Sequence, residues 1–177
     1  MSRYARARSV PIDSTDRIPL DPGLYVVYSD TEVTGLTWNP VSGALYVGKA
    51  DDGLRRRIGK EHGGDTGRST LRRSLAALLK DDLQLIARCR PTRGKPKPID
   101  FTNFSLEPDG DRRLSDWMAT HLTVAVVART VAAGEEKALI AESEPPLNLQ
   151  AWDNPWRQMV RAARANCAAE ARSRYRG

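Results

Sequence analysis

Gly23-Leu24-Tyr25-Val26-Val27-Tyr28 and Ala44-Leu45-Tyr46-Val47-Gly48 are the two stretches on which the fold turns. Both are aromatic and β-branched, the first follows the turn signal Asp21-Pro22-Gly23, and each reads as a buried strand. The fifteen or so residues between them, 29–43, are punctuated by Gly35, Asn39, Pro40 and Gly43. That is long for a hairpin loop, which commonly takes about 2 to 5 residues. A third apolar run, Leu122 to Ala128, reads as a central strand.

Between the second and third strands the periodicity is helical. Leu54 to Lys60 follows Asp51-Asp52-Gly53, whose carboxylates suit a helix start. Ser69 is an N-cap candidate for a helix over 70–80, with Leu71, Leu75, Leu78 and Leu79 on its inner side and Arg72 and Arg73 expected on its exposed side. Residues 88–98 carry Pro91, Gly94, Pro96 and Pro98 and read as a loop, and 101–106 as a short strand. Leu114, Trp117, Met118 and Leu122 keep helical spacing, 134–143 is helical up to Pro145-Pro146, and a last helix runs from about 154 to 172 with Trp156, Met159 and Val160 on its apolar side. The fold class this predicts is α+β: a small, mainly antiparallel three-stranded sheet (23–28, 44–48, 122–127) flanked by helices. The expected organisation is a basic arm over 1–20, a core domain over 21–150, and a basic C-terminal helix over 151–177 packed on the same domain.

The chain has 177 residues, a soft prior of one domain, and 28 Lys plus Arg against 22 Asp plus Glu, a formal net charge of +6. The charge is blocked: residues 49–73 carry eight basic and four acidic side chains, 86–98 five basic and none acidic, and 99–150 four basic and nine acidic. Basic blocks between acidic ones point to a polyanionic partner, with nucleic acid first among them. Cys89 and Cys167 offer neither a zinc spacing nor a disulfide framework, and no apolar run suits a signal peptide or a membrane span. A reducing, cytoplasmic setting is expected.

Gly23-Leu24-Tyr25 and Tyr46-Val47-Gly48 are tyrosine-glycine tripeptides in opposite order. They are followed by Lys49, by Arg57 in the first helix, by Glu136 in Glu136-Lys137-Ala138-Leu139-Ile140, and by Asn148 after Pro145-Pro146. The two tripeptides, Arg57, Glu136 and Asn148, five elements in this order, resemble the GIY-YIG nuclease family over residues 21–150. The resemblance implies catalytic roles for Tyr25, Tyr46, Lys49, Arg57, His62 and Glu136, with Gly23, Gly48 and Asn148 structural at the site. It also implies one divalent cation, Mg²⁺ or Mn²⁺, held by Glu136, and in-line attack by a water that Tyr25 activates while the metal stabilises the leaving 3′ oxygen.

The residue chemistry suits that scheme. One or two carboxylates suffice for Mg²⁺, which keeps several waters. Arg57 offers a planar fork of donors matched to phosphate. A phenol of pKa near 10 is ionised about one part in a thousand at pH 7, so Tyr25 needs help, and Lys49 and a nearby cation are expected to lower its pKa. Tyr46 would orient water or phosphate, and which tyrosine is the general base stays open. His62 stands five residues after Arg57, about 140° away on a regular helix. Only an irregular helix end, for which Gly63-Gly64 gives room, would turn both inward.

Glu136 precedes Leu139 and Ile140 by three and four positions, so it is placed inward and Glu135 in solvent. His121 is expected to pack structurally, and Asn148 to satisfy backbone groups. Arg68, Arg72, Arg73, Arg88, Arg90, Arg93, Lys95 and Lys97 are candidates for DNA-backbone contact. The function this predicts is metal-dependent hydrolysis of DNA phosphodiesters, of double-stranded DNA, with the insertions 29–43 and 88–100 available for recognition as in a restriction-type enzyme. A structure-specific or repair nuclease is the alternative within that class, and a catalytically inactive DNA-binding module the alternative outside it. Palindromic cleavage would call for a homodimer.

Overall fold

The computed structural model describes residues 6–31, 33, 36 and 43–175. Most of the 29–43 insertion lies outside them. The strands Val10–Pro11 (β1), Gly23–Ser29 (β2), Ala44–Ala50 (β3) and Leu122–Ala128 (β6) form one antiparallel sheet in the order β1-β6-β2-β3. Every residue of β2 is buried, which is why its sequence is an unbroken apolar run without alternation. The sheet has one strand more than the three expected. β1 was missed because two residues ending in a proline carry no periodic signal; Pro11 is tolerated there because β1 is an edge. Residues 10–18, expected within a basic arm, contribute Ile12 and Ile18 to the core.

The register fixes which residues share a face. Tyr25 lies opposite Gly48 and Val27 opposite Tyr46, so these point to one side and join the main core; Val26 and Val47 point to the other, smaller core with Ile140. The main side is covered by Thr70–Leu78 (α2), Pro108–His121 (α4) and Arg157–Ser173 (α6), the other by Glu135–Ser143 (α5). A second, two-stranded ladder pairs Ala87–Arg88 (β4) with Ser105–Leu106 (β5). The short helix Pro98–Thr102 (α3) precedes β5 in place of an extended strand over 101–106. Pro98 opens it, and Asp100 accepts a hydrogen bond from the Lys97 N–H at 2.9 Å.

α6 packs on α2, α3 and β4. Its buried stripe is Val160, Cys167 and Ala171, which leaves Met159, expected inside, exposed. Among the described residues, no helix is long and apolar enough to cross a membrane.

The exposed β3 edge is closed by the chain after Pro145-Pro146. The Asn148 side chain accepts from Val47 N–H (2.8 Å) and donates to Val47 C=O (2.9 Å), imitating a paired strand residue. Asn154 and Trp152 in turn donate to the Asn148 carbonyl, both at 2.9 Å.

Candidate active site

Two glycines make room for the site. A Cβ on Gly48 would lie 2.3 Å from the Tyr25 hydroxyl oxygen, so the Tyr25 ring can rest on β3 only where there is no side chain. A Cβ on Gly23 would stand 2.3 Å from the Val127 carbonyl oxygen and would strike Leu54.

The helix after β3 delivers Arg57 and His62. From Arg56 to Glu61 it is a π-helical turn that runs into the α-turn His62–Gly64 (α1), with the His62 N–H donating to the Arg57 carbonyl. This i→i+5 register widens the turn, so two side chains five positions apart that a regular helix would splay are brought toward the same side. Both reach one atom: the Tyr25 hydroxyl lies 2.7 Å from His62 Nε2 and 3.4 Å from Arg57 Nε. Tyr46 completes the cluster, its ring centroid 6.2 Å from those of both Tyr25 and His62.

Two buried hydroxyls, of Ser69 and Tyr25, flank the His62 ring. The Ser69 hydroxyl caps α2 by accepting the Arg72 N–H (3.1 Å), and its other neighbour is His62 Nδ1 at 2.7 Å. Ser69 is fully buried, and Nδ1 is the acceptor its O–H has among the described residues. The Tyr25 hydroxyl is as fully buried and meets Nε2 in the same way, so the neutral ring serves one of these hydroxyls as donor and the other as acceptor. The Tyr25 oxygen accepts from Arg57 Nε, and once ionised it would have both that group and His62 Nε2–H as donors. Burial, then the charges of Arg57 and Arg72, hold the His62 pKa down to about 3, which keeps the imidazole neutral.

These donors do not produce a ready phenolate. Burial foremost, then Tyr46, pushes the Tyr25 pKa well above its ordinary value, although Arg57 opposes the shift. Tyr46 is raised as well, again chiefly by burial. The expectation that Lys49 lowers Tyr25 is corrected by the strand register. Lys49 alternates with Gly48, so it points away from the Tyr25 face, and its ammonium pairs with Asp51 at 2.7 Å.

Glu136 lines a cleft of about 610 Å³ with Tyr46, Asn148, Thr70, Arg161 and Arg164. Its negative charge acts on Tyr25, Tyr46 and Lys49. Glu135, expected in solvent, instead forms a two-pronged pair with Arg129 (2.6 and 2.8 Å) and accepts the Ala132 N–H; those bonds pull its pKa down to about 2. No comparable bond engages the Glu136 carboxylate among the described residues. They also contain no group of three or more His, Cys, Asp or Glu able to hold a metal. A single unpaired carboxylate at an open cleft fits a hard cation that keeps most of its waters; it does not fit a zinc-type site.

Arg72, expected at the surface as a DNA contact, is fully buried. It donates to the His62 carbonyl (3.0 Å), Thr66 Oγ1 (3.2 Å), Ser115 Oγ (3.0 Å) and Asp111 (2.9 Å), and so anchors the helix that carries His62. Arg73 is half-buried, bonded to the Thr66 and Gly67 carbonyls. Arg90 pairs with Asp100 at 2.8 Å. Arg68, Arg88, Arg93, Lys95 and Lys97 are exposed. His121 packs against Trp117 and bonds Asp30 at 3.0 Å.

Sequence reasoning saw Ser69 only as a cap and overlooked Glu61, which is ion-paired to Arg57. An i, i+4 Arg-Glu spacing was the available signal for Glu61. Nothing local marked Ser69 as a partner of His62.

The chain matches the family model described as the GIY-YIG catalytic domain over residues 26–168, a span that takes in Tyr46, Arg57, His62 and Glu136 and begins one residue after Tyr25. No curated protein and no solved structure matches it.

Proposed function

The chain belongs to the GIY-YIG nuclease family, and from that premise we propose that it is a metal-dependent endonuclease that hydrolyses DNA phosphodiester bonds, of the site-specific restriction type. The observation that carries the reading is the convergence of Arg57 and His62 on the Tyr25 oxygen, beside a cleft that holds the unpaired Glu136 carboxylate.

Each group has a task its chemistry suits. Arg57, bound to Tyr25 and Glu61, exchanges the Glu61 carboxylate for a phosphoryl oxygen and stabilises the charge that builds there. Tyr25, as the phenolate left after its proton has passed to solvent water in the cleft, takes the proton of the attacking water; the Nε2–H that neutral His62 then presents and the Arg57 guanidinium steady the phenolate. His62 is therefore a neutral donor and not the base. Tyr46, at the boundary between this pocket and the cleft, orients the water. Glu136 would hold Mg²⁺ or Mn²⁺, and the bound cation supplies Lewis-acid stabilisation of the departing 3′ oxygen.

The restriction-type reading is supported by the exposed basic loop over 88–97, set within the domain and suited to gripping duplex DNA. The test is cleavage of plasmid DNA in Mg²⁺ against EDTA, for wild type and Glu136→Ala. Cleavage in Mg²⁺ alone, falling at least about a hundredfold in the variant, is expected. Equal cleavage by both proteins would overturn the assigned site. Discrete fragments are expected, and a smear would overturn the site-specific reading.

A further inference from the structure

Most arginines in this protein that pack against the core have a carboxylate partner: Arg57 with Glu61, Arg72 with Asp111, Arg90 with Asp100, Arg113 with Glu107, and Arg129 with Glu135. Four do not. Arg73, Arg161, Arg164 and Arg172 line a groove of about 430 Å³ between α6 and the α2–α3 region, together with Thr102 and Asn103. Among the described residues none of the four forms a salt bridge. Arg73 and Arg164 bond only to backbone carbonyls and a Thr70 hydroxyl, and Arg172 lies over the Phe101 ring at 5.2 Å.

Gathering cations without counter-charge is unfavourable, and the side chains register it. Burial, then Arg164 and Arg90, holds the Arg73 pKa down to about 10, and burial lowers Arg164 as well. The buried Nε of Arg164 has no hydrogen-bond partner. Such a donor set calls for an anion from outside the chain.

Position says which anion. Thr70, Arg161 and Arg164 line both this groove and the cleft that holds Glu136, so the two form one continuous path. We propose that this arginine-lined groove along α6 is a phosphate track that binds the DNA backbone on one side of the scissile bond. The inference rests on the nuclease reading above, and it assigns the C-terminal helix a role in substrate binding.

Exposed Arg161 and Arg172 are the positions to change. Binding of a short DNA duplex is measured in EDTA, where no cleavage occurs, as a function of salt for wild type, Arg161→Ala/Arg172→Ala, and Arg112→Ala. Arg112 lines neither cavity and pairs with Asp109 on α4, so it controls for loss of bulk charge. The double variant is expected to bind at least about tenfold more weakly at 0.1 M salt, with a slope of log K against log[salt] shallower by about two, one per lost phosphate contact. A slope equal to that of Arg112→Ala overturns the track and leaves the nuclease reading standing. Absence of DNA binding by wild type overturns the nuclease reading, and the track falls with it. Should the double variant lose thermal stability through Arg172 and Phe101, Arg161→Glu alone carries the test, with the same signs.

Discussion

The two sides of the cleft are built on opposite rules. On the inner side, Tyr25, His62, Ser69 and Arg72 are buried and bonded to one another, so the geometry around the Tyr25 oxygen exists before any ligand arrives. On the outer side, Glu136 and Arg161, Arg164 and Arg172 of α6 form no salt bridge among the described residues. The difference teaches where the molecule is finished and where it awaits substrate. On the proposed function, the groups that need exact placement are held by buried hydrogen bonds, and those assigned to cation and phosphate stay open without an ion-pair partner. Substitutions on the inner side should therefore cost stability as well as cleavage, and those on the outer side binding and cleavage alone.

Arg72 gives the largest contrast. It looks like its neighbour Arg73 in sequence, yet Arg72→Met should destabilise the fold by about 3 to 5 kcal/mol, because it leaves Asp111 and several buried acceptors without their partner. Denaturant unfolding measures this. The salt slope of DNA binding by the folded variant should not move. Wild-type stability with a shallower salt slope would make Arg72 a phosphate contact and erase the distinction between the two sides.

Gly48→Ala is a smaller perturbation at the centre of the inner side. Its methyl group would occupy the space of the Tyr25 hydroxyl, and strand packing leaves the ring nowhere to go without strain. A cost of about 1 to 3 kcal/mol is expected from overpacking. Displacing the phenol from His62 and Arg57 should lower cleavage at least about a hundredfold. Thermal melting and plasmid cleavage together decide it: a variant that melts lower but cleaves normally would show that the Tyr25 contacts are packing only.

The legibility of the sequence follows the same division. β2 and β3 could be read because burial on both faces writes itself as an apolar run, β6 because its residues are apolar although partly exposed, and Glu136 was set apart from Glu135 because Leu139 and Ile140 lie one turn away. Glycine at positions 23 and 48 could be read as necessary, though the reason, a ring and a carbonyl pressed against bare Cα atoms, needed coordinates. The π-turn was legible only as an irregular helix end, from the five-residue spacing of Arg57 and His62 and from Gly63-Gly64; its place before the glycines and its hydrogen-bond register were not, because residue types do not encode a register. The burial of Arg72 depends on Asp111, 39 positions away, and helical periodicity cannot see such a partner. Lys49 was misjudged by nearness in sequence, which in a strand places adjacent residues on opposite faces.

The smallest expected effect concerns acid stability, and it isolates His62. Its pKa is about 3 in the folded protein against an ordinary 6.5, so the unfolded chain binds a proton that the native state refuses. Stability from this group is complete above pH 6.5 and declines as pH falls toward 3, by roughly 1 kcal/mol per pH unit. Arg57, Arg72, Tyr25, Tyr46 and Ser69 surround the ring; Asp13 and Asp116 line a cavity on its far side, but neither bonds to it, and the charges that act on it are those of the two arginines. Carboxylates elsewhere titrate over the lower part of that window, so the informative quantity is the difference between wild type and His62→Gln. Between pH 6.5 and 5 wild type should lose stability faster, by that increment. The same neutrality predicts a kcat/KM that climbs with pH toward the high pKa of Tyr25 without an inflection between 5 and 8. An inflection near 6.5 that vanishes in His62→Gln would make the histidine a titrating base, and the inner side would then be a proton relay instead of a fixed pair of donors.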